Sequence, residues 1–105
     1  MRRTLSLAAI TILQAVAGGS RYGFDIIDRT RLPSGTVYPA LSRFERDGYV
    51  RSAWEDLEAA HDDKRPPRRY YHLTPQGRRT LDAALAQLRE IGGVPARPAP
   101  ARSRR

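Results

Sequence analysis

A chain of 105 residues has room for one small domain with a limited core. Its 19 basic and 11 acidic residues give a net charge of +8 and a pI near 11.0, which suits a polyanionic partner but does not bear on fold. Without cysteine there is no disulfide, thiolate metal site or thiol catalysis, and His61 and His72 are too far apart to start a metal-ligand spacing.

Residues 92–105 hold four arginines and no acid. Residues 1–91 therefore keep fifteen basic and eleven acidic side chains, a net +4. About half of the excess charge belongs to a Pro-, Ala- and Arg-rich tail with no apolar pattern, which is expected to be disordered.

Arg2-Arg3 and the apolar run Leu5–Ala17 imitate a secretory leader, with Ala15-Val16-Ala17 imitating its cleavage site. The same stretch fits a capped helix of a cytosolic domain, and we read it so. Thr4 caps the start and Gly18-Gly19 stops it. The run is too short to span a bilayer. It is apolar nearly all round, so it needs cover on more than one side. A second copy of the chain is the expected cover, with Leu5 and Ile12 at the contact.

Ser20-Arg21-Tyr22-Gly23 opens a second helix that runs to about Thr30. Phe24 and Ile27 face inward, flanked by Tyr22 and Ile26; Asp25, Asp28 and Arg29 face out. Arg31-Leu32-Pro33 leads straight into a third helix, a helix-turn-helix pattern. An ordinary helical hairpin is the plain alternative.

The third helix organises the chain. Ser34 is its expected cap and Gly48 its left-handed stop. Val37, Leu41 and Phe44 recur at helical spacing on one face. The other face carries Thr36, Tyr38, Ser42, Arg43 and Arg46, with no acid before Glu45. Such a face can lie on a phosphate backbone and reach base edges; a solvated surface helix is the alternative. Ser34, Gly35 and Thr36 at the N-terminus suit a phosphate. Arg43 suits a guanine or the backbone. Pro39 breaks a helix rule by removing one N–H and crowding Gly35. Either the helix bends there or it starts nearer Tyr38.

Tyr49–Glu55 and Arg68–Leu73 alternate as two strands of a hairpin. The connection between them is acidic first and basic last. Its Lys64-Arg65-Pro66-Pro67-Arg68-Arg69 end places cations where a wing would meet the duplex. Asp56, Glu58, Asp62 and Asp63 are expected to be solvated loop acids. Thr74 and Pro75 start a last helix, whose stripe of Leu81, Leu85 and Leu88 is expected to join the dimer contact, ending at Gly92-Gly93.

Taken together, the residues resemble the PadR family of winged-helix transcriptional regulators. The likeness spans about residues 4–91 and rests on Arg21-Tyr22-Gly23-Phe24, Gly35-Thr36-Val37-Tyr38-Pro39-Ala40-Leu41 and Tyr70-Tyr71-His72-Leu73-Thr74. It implies a mainly α fold with a small β-hairpin: a winged helix-turn-helix at 1–73, a C-terminal dimerisation helix at 74–91 and the tail at 92–105. It also implies a cytoplasmic homodimer that represses from an operator with two half-sites, and a Pro inside the recognition helix. The DNA-contacting set is then Tyr22, Ser34, Gly35, Thr36, Tyr38, Ser42, Arg43, Lys64, Arg65 and Arg68. No cofactor, catalytic residue or membrane contact is expected, and no effector is specified. The single last helix matches the small members of the family. It lacks the tryptophan with which multidrug-sensing members stack flat ligands, the one tryptophan here being Trp54. A protein-interaction module on the same scaffold is the alternative function.

Overall fold

The computed structural model describes residues 5–91; the expected Thr4 cap, the Gly92-Gly93 stop and the tail at 92–105 lie outside the described residues. The order is α1 (Leu7–Ala17), α2 (Gly23–Thr30), α3 (Ser34–Arg46), β1 (Val50–Trp54), α4 (Leu57–Asp62), β2 (Arg69–Leu73) and α5 (Pro75–Glu90).

Helix α1 is the centre of the core. Ser6 caps it, its hydroxyl accepting from Ala9 N–H at 3.0 Å. Gly19 follows the helix at φ 107°, a left-handed conformation that glycine takes without strain, and turns the chain into α2. Ala9, Ile10, Ile12, Leu13, Ala15 and Val16 are all buried within one chain, because α2, α3, β2 and α5 pack around α1. The small body thus supplies the cover that was assigned to a second copy. Ile12 and Leu81 are corrected accordingly: both lie in the chain's own core and present nothing to a partner. Leu5, Leu85 and Leu88 are only partly buried against that core, while Leu7 and Ile91 are exposed.

Helix α2 is rotated from the expected setting. Ile26 is fully buried and Phe24 is 76% exposed. Two residues along a helix turn through about 200°, so an inward Ile26 forces Phe24 outward. Arg31, at φ 64°, closes the helix, and the Thr30 hydroxyl donates to Ile26 O at 2.8 Å and accepts from Leu32 N–H at 3.2 Å. That short turn fixes how α3 leaves α2.

In α3 the cap position is Pro33, and Ser34 is the first helical residue rather than the cap. The Pro33 carbonyl accepts from Thr36 and Val37 N–H at 2.9 and 3.1 Å. The helix runs through Pro39 without interruption. It ends as a Schellman motif: Tyr49 N–H reaches Phe44 O at 2.8 Å, Gly48 N–H reaches Glu45 O at 3.2 Å, and Gly48 has φ 84°.

Strands β1 and β2 pair antiparallel, from Val50 opposite Leu73 to Trp54 opposite Arg69. Val50 and Tyr71 are buried toward the core. The start of α2 joins the far side of β2: Tyr22 bridges Tyr70, and Tyr71 N–H donates to Arg21 O at 2.7 Å. The stretch expected to be a loop contains α4, capped by Asp56, whose carboxylate accepts from Glu58 N–H at 3.3 Å. Thr74 caps α5 by accepting from Gly77 N–H at 2.9 Å and ties it down by donating to Gly48 O at 2.6 Å. A side chain at Gly77 would collide with the Tyr49 carbonyl, so α5 can seat on the end of α3 only with glycine there.

Candidate nucleic-acid interface

The exposed side of α3 carries Ser34, Gly35, Tyr38, Pro39, Ser42, Arg43 and Arg46, with Thr36 half-buried. Val37, Ala40, Leu41 and Phe44 fill the opposite side. The one acid within the helix, Glu45, is drawn away toward the hairpin. Ser52 Oγ donates to it at 2.6 Å and Arg69 Nη2 at 3.3 Å, while Arg69 Nε donates to Ser52 Oγ at 2.9 Å. The exposed face of α3 is thereby left polar and cationic, the charge that a phosphate backbone attracts.

Tyr38 does not stand straight off α3. Its hydroxyl occupies the space that a Cβ at position 23 would need, so Gly23 lets the ring lie across the start of α2 with 43% of the residue exposed. Beyond it opens a cleft of about 470 Å³ between α3 and the hairpin, walled by Tyr22, Tyr38, Trp54, Pro67, Arg68 and Tyr71. The Arg68 guanidinium stacks 4.2 Å from the centre of the Tyr22 ring, and Tyr70 meets Tyr22 edge-on at 5.8 Å. Tyr22 and Arg68, far apart in sequence, thus form one cationic wall beside α3.

Arg65 behaves differently from its neighbours. Its Nη1 and Nη2 each donate to a Glu55 carboxylate oxygen at 2.6 Å, and Nη2 also reaches Asp63 at 3.1 Å. Glu55 further accepts from Arg68 N–H at 3.1 Å and faces the Tyr70 hydroxyl at 3.4 Å. The Arg65 fork holds the Glu55 carboxyl down at about 2, well below the usual carboxylate range, with the Arg68 N–H adding to the effect. Glu55 in turn pushes Arg65 further up. The donors of Arg65, expected to meet phosphates, are thus engaged by Glu55 and Asp63, whereas Lys64 is exposed in the turn after α4, at φ 58°. Asp63 is likewise engaged rather than merely solvated.

The exposed α3 face is thus continuous with the Tyr22–Arg68 wall, with Lys64 in the turn beyond α4. The sequence pattern of the transcriptional regulator PadR-like family matches residues 12–83. The chain belongs to that family. No curated protein sequence matches it. A PadR family transcription regulator from Clostridium difficile has a similar structure, with TM-score 0.72 and 26% identity over 83% of this chain and 92% of that one. A PadR-like transcription factor from Bacteroides fragilis is similar at TM-score 0.69 and 27% identity, over 80% and 82%. A MarR family transcriptional regulator from Silicibacter pomeroyi is similar at TM-score 0.62 and 26% identity, over 84% of this chain and 55% of that longer one. The PadR chain is accordingly a DNA-binding transcription regulator with a winged-helix fold, not an enzyme.

Sequence reasoning missed Glu45, Glu55 and Arg69. The signal for Glu55 was slight: an acid closing β1 ahead of a loop that ends in cations. The antiparallel register, which sets Trp54 opposite Arg69, puts Glu55 beside the Arg68 backbone, and the return of the loop brings Arg65 onto its carboxylate. Among the described residues no cluster of His, Asp and Glu could hold a metal ion, and no helix is long and apolar enough to cross a membrane.

Proposed function

We infer that this PadR-family chain is a cytoplasmic repressor that binds, as a homodimer, an operator of two half-sites. The observation that carries the reading is the asymmetry of α3: one side fills the core and the other is polar, cationic and exposed. On this reading α3 lies in the major groove. Ser34, Gly35 and Thr36 approach a phosphate, Ser42 and Arg43 face base edges, and Tyr22, Tyr38 and Arg68 flank the adjoining backbone. Two such helices related by a two-fold axis read half-sites about one helical turn apart.

The dimer seam on this reading is built from surface left open by the core. Leu85 and Leu88 on α5 and Leu5 before α1 are partly buried, and Leu7 and Ile91 are exposed beside them. Selection from random duplexes, followed by footprinting and sedimentation, tests the reading. A palindromic site protected by a two-chain complex is the expected result. Binding that ignores sequence, or a folded monomer at micromolar concentration, would favour the interaction-module alternative.

A further inference from the structure

We propose that Glu55 is a positioning residue of the wing that withholds Arg65 from DNA, so that the wing brings less charge to the duplex than its sequence suggests. The proposal rests on the DNA-binding reading above and concerns how much sequence-independent affinity that interface carries. From Glu55 to Arg69 the chain carries five acids and four bases. The sequence order suggests a cationic wing limb, but the geometry cancels much of it. Arg65 is clasped by both Glu55 oxygens and by Asp63, and its side chain is only 22% exposed. Arg69 is held between Glu45, Ser52 and the Trp54 ring, 5.3 Å away. Lys64 and Arg68 remain as the wing cations whose head groups meet no carboxylate.

The same carboxylate that neutralises Arg65 also shapes the wing. By accepting from Arg65 and from the Arg68 backbone N–H, Glu55 pins both ends of the Arg65–Arg68 segment to the end of β1. Glu55 N–H donates to Arg68 O at 2.7 Å, closing the same joint from the other side. Arg68 is thereby set over Tyr22, beside α3. Phosphate contacts raise affinity for every sequence alike, while base contacts discriminate. A wing with one cation withheld therefore adds less sequence-independent affinity to what α3 reads.

The test is the salt dependence of full-length protein binding to a random-sequence duplex, with arginine side-chain NMR of the free protein. Each phosphate contact steepens the slope of log affinity against log salt by about 0.9. Glu55→Gln keeps an acceptor for Arg68 N–H and releases Arg65. It should steepen the slope by about one contact and raise affinity for selected and random duplexes together. Glu55→Gln/Arg65→Gln should return to the wild-type slope. Asp62→Asn removes the same charge from the exposed end of α4 and should leave the slope nearly unchanged. Equal slopes for Glu55→Gln and Asp62→Asn, or a flatter slope for Arg65→Gln alone, would overturn the proposal. In the free wild-type protein the Arg65 Nη protons should exchange slowly, and in Glu55→Gln rapidly. Rapid exchange in wild type overturns the clasp whatever DNA does. Slow exchange in a protein that binds no duplex instead refutes the DNA-binding reading.

Discussion

Helix α3 and the hairpin loop both carry cations next to aromatic residues, yet they hold them differently. On α3, Arg43 and Arg46 stand exposed on a face whose one helical acid has been drawn aside. In the hairpin, Arg65 and Arg69 are tied to carboxylates of the same chain. These two pairs of arginines therefore offer a duplex unequal amounts of charge. Formal charge counts residues, whereas association depends on the guanidinium groups whose donors are still turned outward.

The largest blow to this contrast would come from the side of α3 that holds it in place. Leu41→Ala removes a fully buried side chain between α3 and the rest of the core. It should cost about 2–5 kcal/mol of folding stability, read by chemical or thermal denaturation. Loss of site-specific binding without loss of stability would mean that the buried and exposed sides of α3 are reversed.

The next effect should separate the two regions directly. Arg43→Ala should cost about 1–3 kcal/mol at a selected site if the side chain meets a base, with little change in the melting temperature. Lys64→Ala should weaken binding to all duplexes alike, flattening the salt slope by about one unit. Titrations across a salt series distinguish these outcomes, and a sequence-dependent effect at Lys64 would break the contrast.

A smaller effect is expected where Tyr38 crosses the start of α2. Gly23→Ala displaces the hydroxyl and outer ring edge of Tyr38, the far end of a half-exposed side chain and not backbone. Folding stability should shift by less than about 1 kcal/mol, while duplex affinity falls as Tyr38 leaves its place. Loss of stability with unchanged affinity would assign Tyr38 to packing alone.

The smallest effect is the wing's response to acid. Because the folded Glu55 carboxyl sits at about 2 and the ordinary value is 4.5, the stability that the clasp contributes is fully present above pH 4.5. It is lost progressively as pH falls toward about 2, since the unfolded chain takes up the proton first. Amide spectra of the Glu55, Arg65 and Arg68 joint should therefore hold their folded pattern through pH 4.

Much of this arrangement was legible in the chain before any coordinates. Thr74-Pro75 announced α5, Gly48 announced the end of α3, and the alternation around Tyr71 announced the hairpin. What could not be read has physical causes. Helix α2 has apolar residues at 22, 24, 26 and 27, so its own pattern suits two rotations, and only the turn through Thr30 and Arg31 chooses between them. Helix α4 is a single charged stretch whose one buried residue is Ala60, too little to create a period. The apolar girth of α1 is satisfied equally by neighbours in one chain or by a second chain, and periodicity does not say which. The Glu55–Arg65 pair depends on how the loop returns, which neither residue's local sequence records.

The bridge between Tyr22 and Tyr70 carries a consequence for the protein's behaviour in a crowded cell. A two-stranded hairpin offers two rows of unpaired backbone groups, each a template for pairing with a stray strand. Here Arg21 and Tyr22 occupy part of the outer row of β2, and β1 covers its inner row. The remaining open row belongs to β1, where Arg51 brings a charge. The segment that anchors the wing therefore also shields it from edge-to-edge aggregation.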